Sequence, residues 1–312
     1  MNPGPPEGVP EVVGFGVLVD DIVLPDGTTH MGVLGGGGIQ TVFGMRAGSD
    51  RVGLVASVGT DWADPVYAWL AASGVDARGV QVRPEPTPRA WQLLEEDERR
   101  TQVWRVPPEA VRTHLALVPE RVPPSYRRAR GFHLGIHPHD FDLDFLGWLG
   151  QAGGVVSVET FCPAESPVPR ARLEALFQVV HLFSANELEA VSLLGPLEPP
   201  ALARSFLDLG ASVVVLRLGQ EGSLVGERAS GRLLHIPAVP VAVAHPIGAG
   251  NAYCGAFLAG WLHTGDLATA GVYGAAAASF LVESVAPPVF GPTISEELRR
   301  RAQALRVRPI SL

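Results

Sequence analysis

The stretch HPIGAGNAYCGAFLAGWL, His245 to Leu262, joins a glycine-rich turn to an apolar helix pattern. The first turn of a helix exposes unpaired N–H groups, and the aligned peptide dipoles place about half a positive charge there. Glycines ahead of it let the backbone approach an anion closely. Gly248, Ala249 and Gly250 therefore read as an anion hole that needs no lysine. An ordinary capped helix reads the same way, because Asn251 is a good N-cap residue. The helix pattern is apolar on every side, so it is expected to be buried. The amides near residue 250 should then face an open pocket.

What surrounds that helix sets the fold class. EVVGFGVLV (11–19), RVGLVASVG (51–59), GFHLGIH (131–137), GVVSVET (154–160), VVHLFS (179–184) and ASVVVLRLG (211–219) are continuous apolar runs. Such runs mark strands buried on both faces. Helical patterns lie between them, with Asp64-Pro65 expected to cap one and Gly74 to close it. Further helices are expected over 168–178 and 200–210. This alternation predicts an α/β fold, a doubly wound, mostly parallel sheet with helices on both faces.

Two segments break the alternation. DIVLPDGTTHMGVL (21–34) turns at Pro-Asp-Gly, and PRAWQLLEEDERRTQVWRV (88–106) turns at the charged tip Glu95-Asp97-Glu98. They read either as a small β-lid over one edge of the sheet or as unrelated surface hairpins. The Pro-rich start and residues 107–124 read as connectors. The domain is expected over 11–285, with 286–312 packed on it.

Composition removes several functions. All 24 basic residues are arginine and none is lysine, which excludes a Walker-A loop, a protein-kinase lysine and Schiff-base chemistry. A net charge of −8 argues against a nucleic-acid partner. No apolar run approaches the roughly 20 residues that span a bilayer, and no signal peptide is visible, so a cytoplasmic location and no membrane partner are expected. Cys162 and Cys254 are too few and too far apart for a disulfide framework. A dehydrogenase would need a third glycine after Gly14-Phe15-Gly16, which is missing.

Other motifs carry chemistry. GGGGIQTVFGMRAG (35–48) suits a hinge or a close approach of backbone to substrate. In SANELE, Asn186 and Glu189 share one face of a helix start, and could order a hydrated Mg²⁺ or simply cap the helix. LRLGQEGSLV forms a tight turn at Gly219 and Gly222. HLGIHPHDFDLD sets His133, His137 and His139 beside acids, and reads as a metal site, a cleft wall or a plain loop.

In order and spacing these motifs resemble the PfkB/ribokinase family of carbohydrate and nucleoside kinases, over about residues 11–285. GFGVLVDDIVLP is similar to its first strand, ending in a substrate-binding Asp. SVGTDWADPVYAWLAASGVD resembles its G-x-D…GVD segment. SANELE matches N-x-x-E, LRLGQEGS matches T-x-G-x-x-G, and HPIGAGNAYCGAFLAG matches D-T-x-G-A-G-D-x-F-x-G-x-F. The resemblance implies a ribokinase-like fold with a β-lid and use of ATP and Mg²⁺. It also implies a sugar or nucleoside-like small-molecule substrate and pairing through the lid into a homodimer. It assigns Gly248, Ala249 and Gly250 to the transferred phosphoryl group, and Asn186 and Glu189 to the neighbourhood of Mg²⁺ and the phosphates. Gly219 and Gly222 fall near the nucleotide, and Asp20 or Asp21, Gly36, Gly37 and Gln40 face the substrate hydroxyls.

The branch implied is a divergent one, with Asn251 where the catalytic Asp of the family's GAGD motif stands. His245, Arg217 and Gln40 also depart from the family's Asp, Thr and Asn. An amide takes no proton at neutral pH, and losing a general base costs roughly 10²–10⁴-fold in rate. His245 has the pKa range to substitute if it reaches the turn. Two functions follow: a slow kinase, or a catalytically degenerate kinase fold that binds nucleotide or sugar as a sensor or scaffold.

Overall fold

The apolar runs are buried on both sides because helices cover both faces of one large sheet, as the computed structural model shows for residues 8–95 and 100–310. The first part of the chain forms β1 (Val12–Phe15), β2 (Leu18–Val23), β3 (Thr29–Gly35), α1 (Gly36–Met45), β4 (Val52–Gly59), α2 (Ala63–Ala72) and β5 (Val75–Arg83). Next come β6 (Arg89–Leu94), β7 (Arg100–Trp104), α3 (Pro108–Leu115), β8 (Gly131–Ile136), α4 (Leu143–Gly150) and β9 (Val155–Thr160). They are followed by α5 (Arg170–Val179), β10 (Leu182–Asn186), α6 (Glu187–Leu194), α7 (Pro199–Asp208) and β11 (Val213–Arg217). The chain continues through β12 (Ser223–Glu227), β13 (Leu233–Ile236), α8 (Ala249–Thr264), α9 (Leu267–Glu283), α10 (Pro292–Ala304) and β14 (Arg308–Pro309).

The main sheet has the order β14-β13-β12-β11-β10-β9-β8-β1-β4-β5. Pairing is parallel from β5 to β11 and antiparallel from β11 to β14. Successive residues of β1 go to opposite cores: Val12 joins the cluster under α1, α2 and α8, and Val13 the cluster under α4 to α7. The chain leaves β1 for β4 on one side and returns to β8 on the other. This is the strand-order reversal at whose carboxyl edge such sheets bind ligands.

The two irregular hairpins pair into one four-stranded sheet, β3-β2-β6-β7, so the lid expected from sequence is present. Its hinge side is β2, which pairs in parallel with β6. Asp97 and Glu98 of the expected tip, and the start of the Pro-rich segment, lie outside the described residues. Several local expectations need correction. The run 11–19 is broken at Gly16, where φ is +90°, and Leu18 already belongs to the lid. Asp64 sits in the first turn of α2 and caps nothing, since the N-cap is Trp62 without a side-chain bond. The supposed connector at 107–124 contains α3, whose Ala110 and His114 are buried. Beyond the Gly219–Gly222 turn, β12 and β13 extend the sheet.

Helices α1 and α8 lie against each other backbone to backbone. A Cβ on Gly44 would collide with the carbonyl of Ala252, and one on Gly255 with the carbonyl of Thr41. That contact brings the N-termini of the two helices side by side at the carboxyl edge of β1. A Gly→Ala change inside an open helix stabilises by about 1 kcal/mol. Here Gly255→Ala is expected to do the reverse and lower Tm by several degrees, because backbone cannot yield to a methyl group. Thermal unfolding of the variant checks the sign.

Candidate active site

Helix α8 begins at Ala249, with Gly248 as its N-cap at φ +84°. Asn251 is therefore a first-turn residue and not the cap that the sequence allowed. A Cβ at Gly248 would run into the side chain of Gln40, and Gly37 faces the Asn251 amide, 3.4 Å from where its own Cβ would stand. The glycine turn, α1 and Gln40 thus converge as the sequence expected.

Asp20 completes that side. It is 2% exposed, receives the Gln92 amide at 2.7 Å and the Gly36 N–H at 3.4 Å, and packs against Gly35. Burial raises its pKa, only partly offset by these bonds and by Arg100. Asp21, the alternative register, points to the opposite face of the lid. Arg89 and Arg105 both bind its carboxylate, Arg89 Nε at 2.7 Å, and the Gly32 N–H adds a third donor. It fastens the lid and faces no substrate. Asp20, Gln40 and His245 line a cavity of about 10 Å³, room for one water. Gln40 Oε1 and His245 Nδ1 have no partner there.

His245 does not reach Asn251. Its Nε2 bonds the Val285 carbonyl at 3.0 Å, and burial pushes its pKa down. It is no substitute base for the turn.

Asn186 and Glu189 adopt the capping alternative. Asn186 Oδ1 accepts from the Glu189 N–H, and Glu189 Oε2 accepts from the Asn186 N–H, both at 2.8 Å. Glu189 also takes Thr160 Oγ1 at 3.0 Å, Asn186 Nδ2 at 2.9 Å and Arg217 at 3.3 Å. Three of these four donors fall on Oε2 and only the Asn186 amide on Oε1, so one lone pair of Oε1 stays open. Burial raises its pKa against the pull of Arg217.

The centre of the site is a pair that sequence reasoning passed over. Arg217, at the end of β11, lies over Gly250, where a Cβ would collide with its guanidinium. The corner expected to be open is therefore filled by this guanidinium. Its Nη1 meets Glu159 Oε2 at 2.8 Å, while its Nε is buried with no partner. Glu159, near the end of β9, is 2% exposed and also bonds the Asn251 amide, with His133 Nε2 at 3.3 Å. Burial would raise its pKa, but Arg217 first, then His133 and Asn251, pull it down to about 2. Glu159 opposes Arg217 in turn and raises the pKa of the guanidinium, against burial.

The histidine loop does not form a unit. His133 turns inward, its Nδ1 2.8 Å from Ser157 Oγ, whereas the His137 and His139 rings stand 6.1 Å apart beside Phe161 and Ser166. Among the described residues one group has metal-ligating geometry, His133 with Glu159 and Cys254. Arg217 already occupies that carboxylate, and burial pushes the Cys254 thiol up, away from thiolate. Gly219 is exposed in the turn after β11, and Gly222 closes on the Ile236 carbonyl. Glu159 is the residue that the sequence left unnamed, yet it did leave a trace: like Arg217 and His133 it is a polar letter inside an apolar strand.

What these parts can do is bind an anion against substrate hydroxyls. The first-turn amides of α8 and the unpartnered Arg217 Nε are donors, and the adjoining Asp20 and Gln40 are acceptors. The donor set fits a phosphate tail such as that of ATP.

Residues 20–288 match the pfkB family carbohydrate kinase model. The chain is 28% identical over 252 residues to the cytidine kinase of Thermococcus kodakarensis, covering 80% of this chain and 87% of that one. It is 26% identical to the nucleoside kinase of Methanothermobacter thermautotrophicus, over 91% of each. The structure of Arabidopsis thaliana ribokinase complexed with ribose and ATP superposes with a TM-score of 0.69 at 20% identity, covering 95% of this chain and 99% of that one. With its ribokinase-like sheet, its lid and its glycine turn in the expected places, the chain belongs to the PfkB family of carbohydrate kinases.

Proposed function

We propose that the protein transfers a phosphoryl group from ATP to a hydroxyl of a small polyhydroxy substrate, a sugar or nucleoside, and does so slowly. One observation carries this reading: Gln40 packs on Gly248, so the acceptors that would hold hydroxyls adjoin the amides that would hold a phosphate. A hydroxyl seated at Asp20 is delivered to an anion seated at Gly248–Gly250. The two nucleoside-phosphorylating relatives support the substrate class.

When bound, ATP supplies the phosphoryl group. The chain contributes alignment and charge, which provide most of phosphoryl-transfer catalysis. Asp20 and Gln40 accept from substrate hydroxyls and orient the ring. The α8 amides and Arg217 stabilise the negative charge of the transferring group. Asn251 offers its carbonyl oxygen to the attacking hydroxyl but cannot take the proton, which leaves to solvent or to a phosphate oxygen. Absence of a base is the reason for a low rate. A water-sized cavity at Asp20 cannot seat a sugar, so the lid must lift first. No helix of the described residues is long and apolar enough to cross a membrane.

A second reading has its own support. Arg217 is already paired with Glu159 and lies over Gly250, so its charge is engaged without a ligand. That favours a binding protein descended from a kinase.

Coupled ADP release across sugars and nucleosides separates the two. The kinase reading expects turnover above the ATPase background with at least one acceptor. No turnover, together with ligand-dependent rises in Tm, selects the binding protein.

The two lid aspartates give a sharper pair of outcomes. Asp20 has a raised pKa, so its contribution to stability is present at low pH and lost as pH rises through that value. Asp20→Asn is expected to raise Tm at pH 7 to 8 relative to wild type, with little difference near pH 4, while abolishing turnover. Asp21→Asn should lower Tm, because it leaves Arg89 and Arg105 without a counter-charge. Melting curves across pH, beside the ADP assay, check both.

A further inference from the structure

The group the proposed reaction leaves unexplained is Glu159. It is buried, ionised and central, yet too deep to touch a substrate. Its partners come from four elements: Asn251 and Cys254 from α8, Arg217 from β11, His133 from β8, and Glu189 of α6 through Arg217.

The Asn251 amide can face Glu159 in one way only. Its Nδ2 donates to Glu159 Oε1, since the other orientation would set oxygen against oxygen. Asn251 Oδ1 accepts from no described protein group and is not among the buried unpaired atoms, so it is left to the cleft. Glu159 therefore decides which end of residue 251 a ligand meets. The same carboxylate holds Arg217 over Gly250. The charge count follows: two carboxylates, Glu159 and Glu189, surround one guanidinium. A carboxylate at 251 would make three, in contact with Glu159 and with no second arginine paired to it among the described residues.

We propose that Glu159 is the positioning residue of this site, and that Glu159 and Asn251 form a carboxylate–amide pair whose two members are interchangeable only together. Glu159 turns the Asn251 carbonyl towards the substrate hydroxyl and sets the guanidinium against the phosphate position. A carboxylate introduced at 251 alone does not repair the site, and one introduced together with an amide at 159 does. This rests on the kinase reading for its catalytic arm, but not for its stability arm.

The test is a double-mutant cycle: wild type, Asn251→Asp, Glu159→Gln, and the two combined, each measured by thermal unfolding from pH 5 to 9 and by ADP release. In Asn251→Asp the two carboxylates share a proton, so the pair's folded pKa lies above its unfolded value. Its stability should hold at pH 5 and fall as pH rises, by about 5 °C or more relative to wild type. His133 and Cys254, which also face Glu159, and Arg217 and Glu189 are common to all four proteins and cancel in the cycle.

Glu159→Gln should cost a similar shift, and should lower kcat about tenfold or more with KM for ATP less affected. The combined variant should recover at least half of the summed Tm loss, lose the extra pH slope, and exceed both single variants in kcat. Additive Tm losses, or an Asn251→Asp variant whose Tm shows no extra pH slope, would overturn the proposal. So would a higher kcat for Asn251→Asp alone than for the combined variant. If wild type and all variants release no ADP, the kinase reading fails while the Tm cycle still decides the pairing.

Discussion

The close contact of α1 with α8 is the constraint from which the site follows. The two helices approach as closely as helices can, because their backbones touch at Gly44 and Gly255 with no side chain between them. Interiors packed this closely transmit position rather than absorb it. The turn at Gly248 and the start of α1 at Gly36 are thereby held next to each other. The partial positive charge of one helix start meets the hydroxyl-accepting groups carried by the other and by the lid. A looser pairing would separate the phosphate side from the acceptor side and leave two incomplete sites.

Charge is the second constraint. Glu159, Arg217 and Glu189 are largely removed from water, where an unpaired charge would cost several kcal/mol. They persist because each satisfies another, with Thr160, Asn186, His133 and Asn251 bonding the two carboxylates, while Arg217 Nε alone stays without a partner. Such a network tolerates little change in any one member. It also places a cation beside the glycine turn in a chain without lysine: the guanidinium is held by Glu159 and Glu189, not by the loop that carries the glycines.

The lid divides its two adjacent aspartates by the strand rule that neighbours point to opposite faces. Asp21 is spent on holding the lid together, and Asp20 is left buried with its charge poorly compensated. Arg100 spans from the lid to the Phe161 carbonyl at 2.8 Å, so the lid rests on the strand that carries Glu159. Stability given up at Asp20 is what a substrate hydroxyl would restore, in line with the usual trade between fold stability and a prepared site.

Periodicity and glycine placement determined the architecture. Doubly apolar strands admit only a sheet covered on both faces, and a lone pair of hairpins has nowhere to bury its apolar face except as a lid. The same local signals made Gly248–Gly250 visible, because turns follow from backbone chemistry within a few residues, whereas Gln40 and Asp20 were named only through the resemblance to the PfkB family. The register of Asp20 against Asp21 was not settled by sequence, since it depends on where Arg89 and Arg105 arrive from another strand. Asn186 with Glu189 read equally as a cap or a metal neighbour, and only the fold brings Thr160 and Arg217 to the Glu189 carboxylate from other strands. Glu159 was a single acid in an apolar run, separated by 92 residues from the amide that it orients. Its role is decided only by the three-dimensional fold, because electrostatic partners are chosen by distance through space and desolvation, neither of which one-dimensional spacing records.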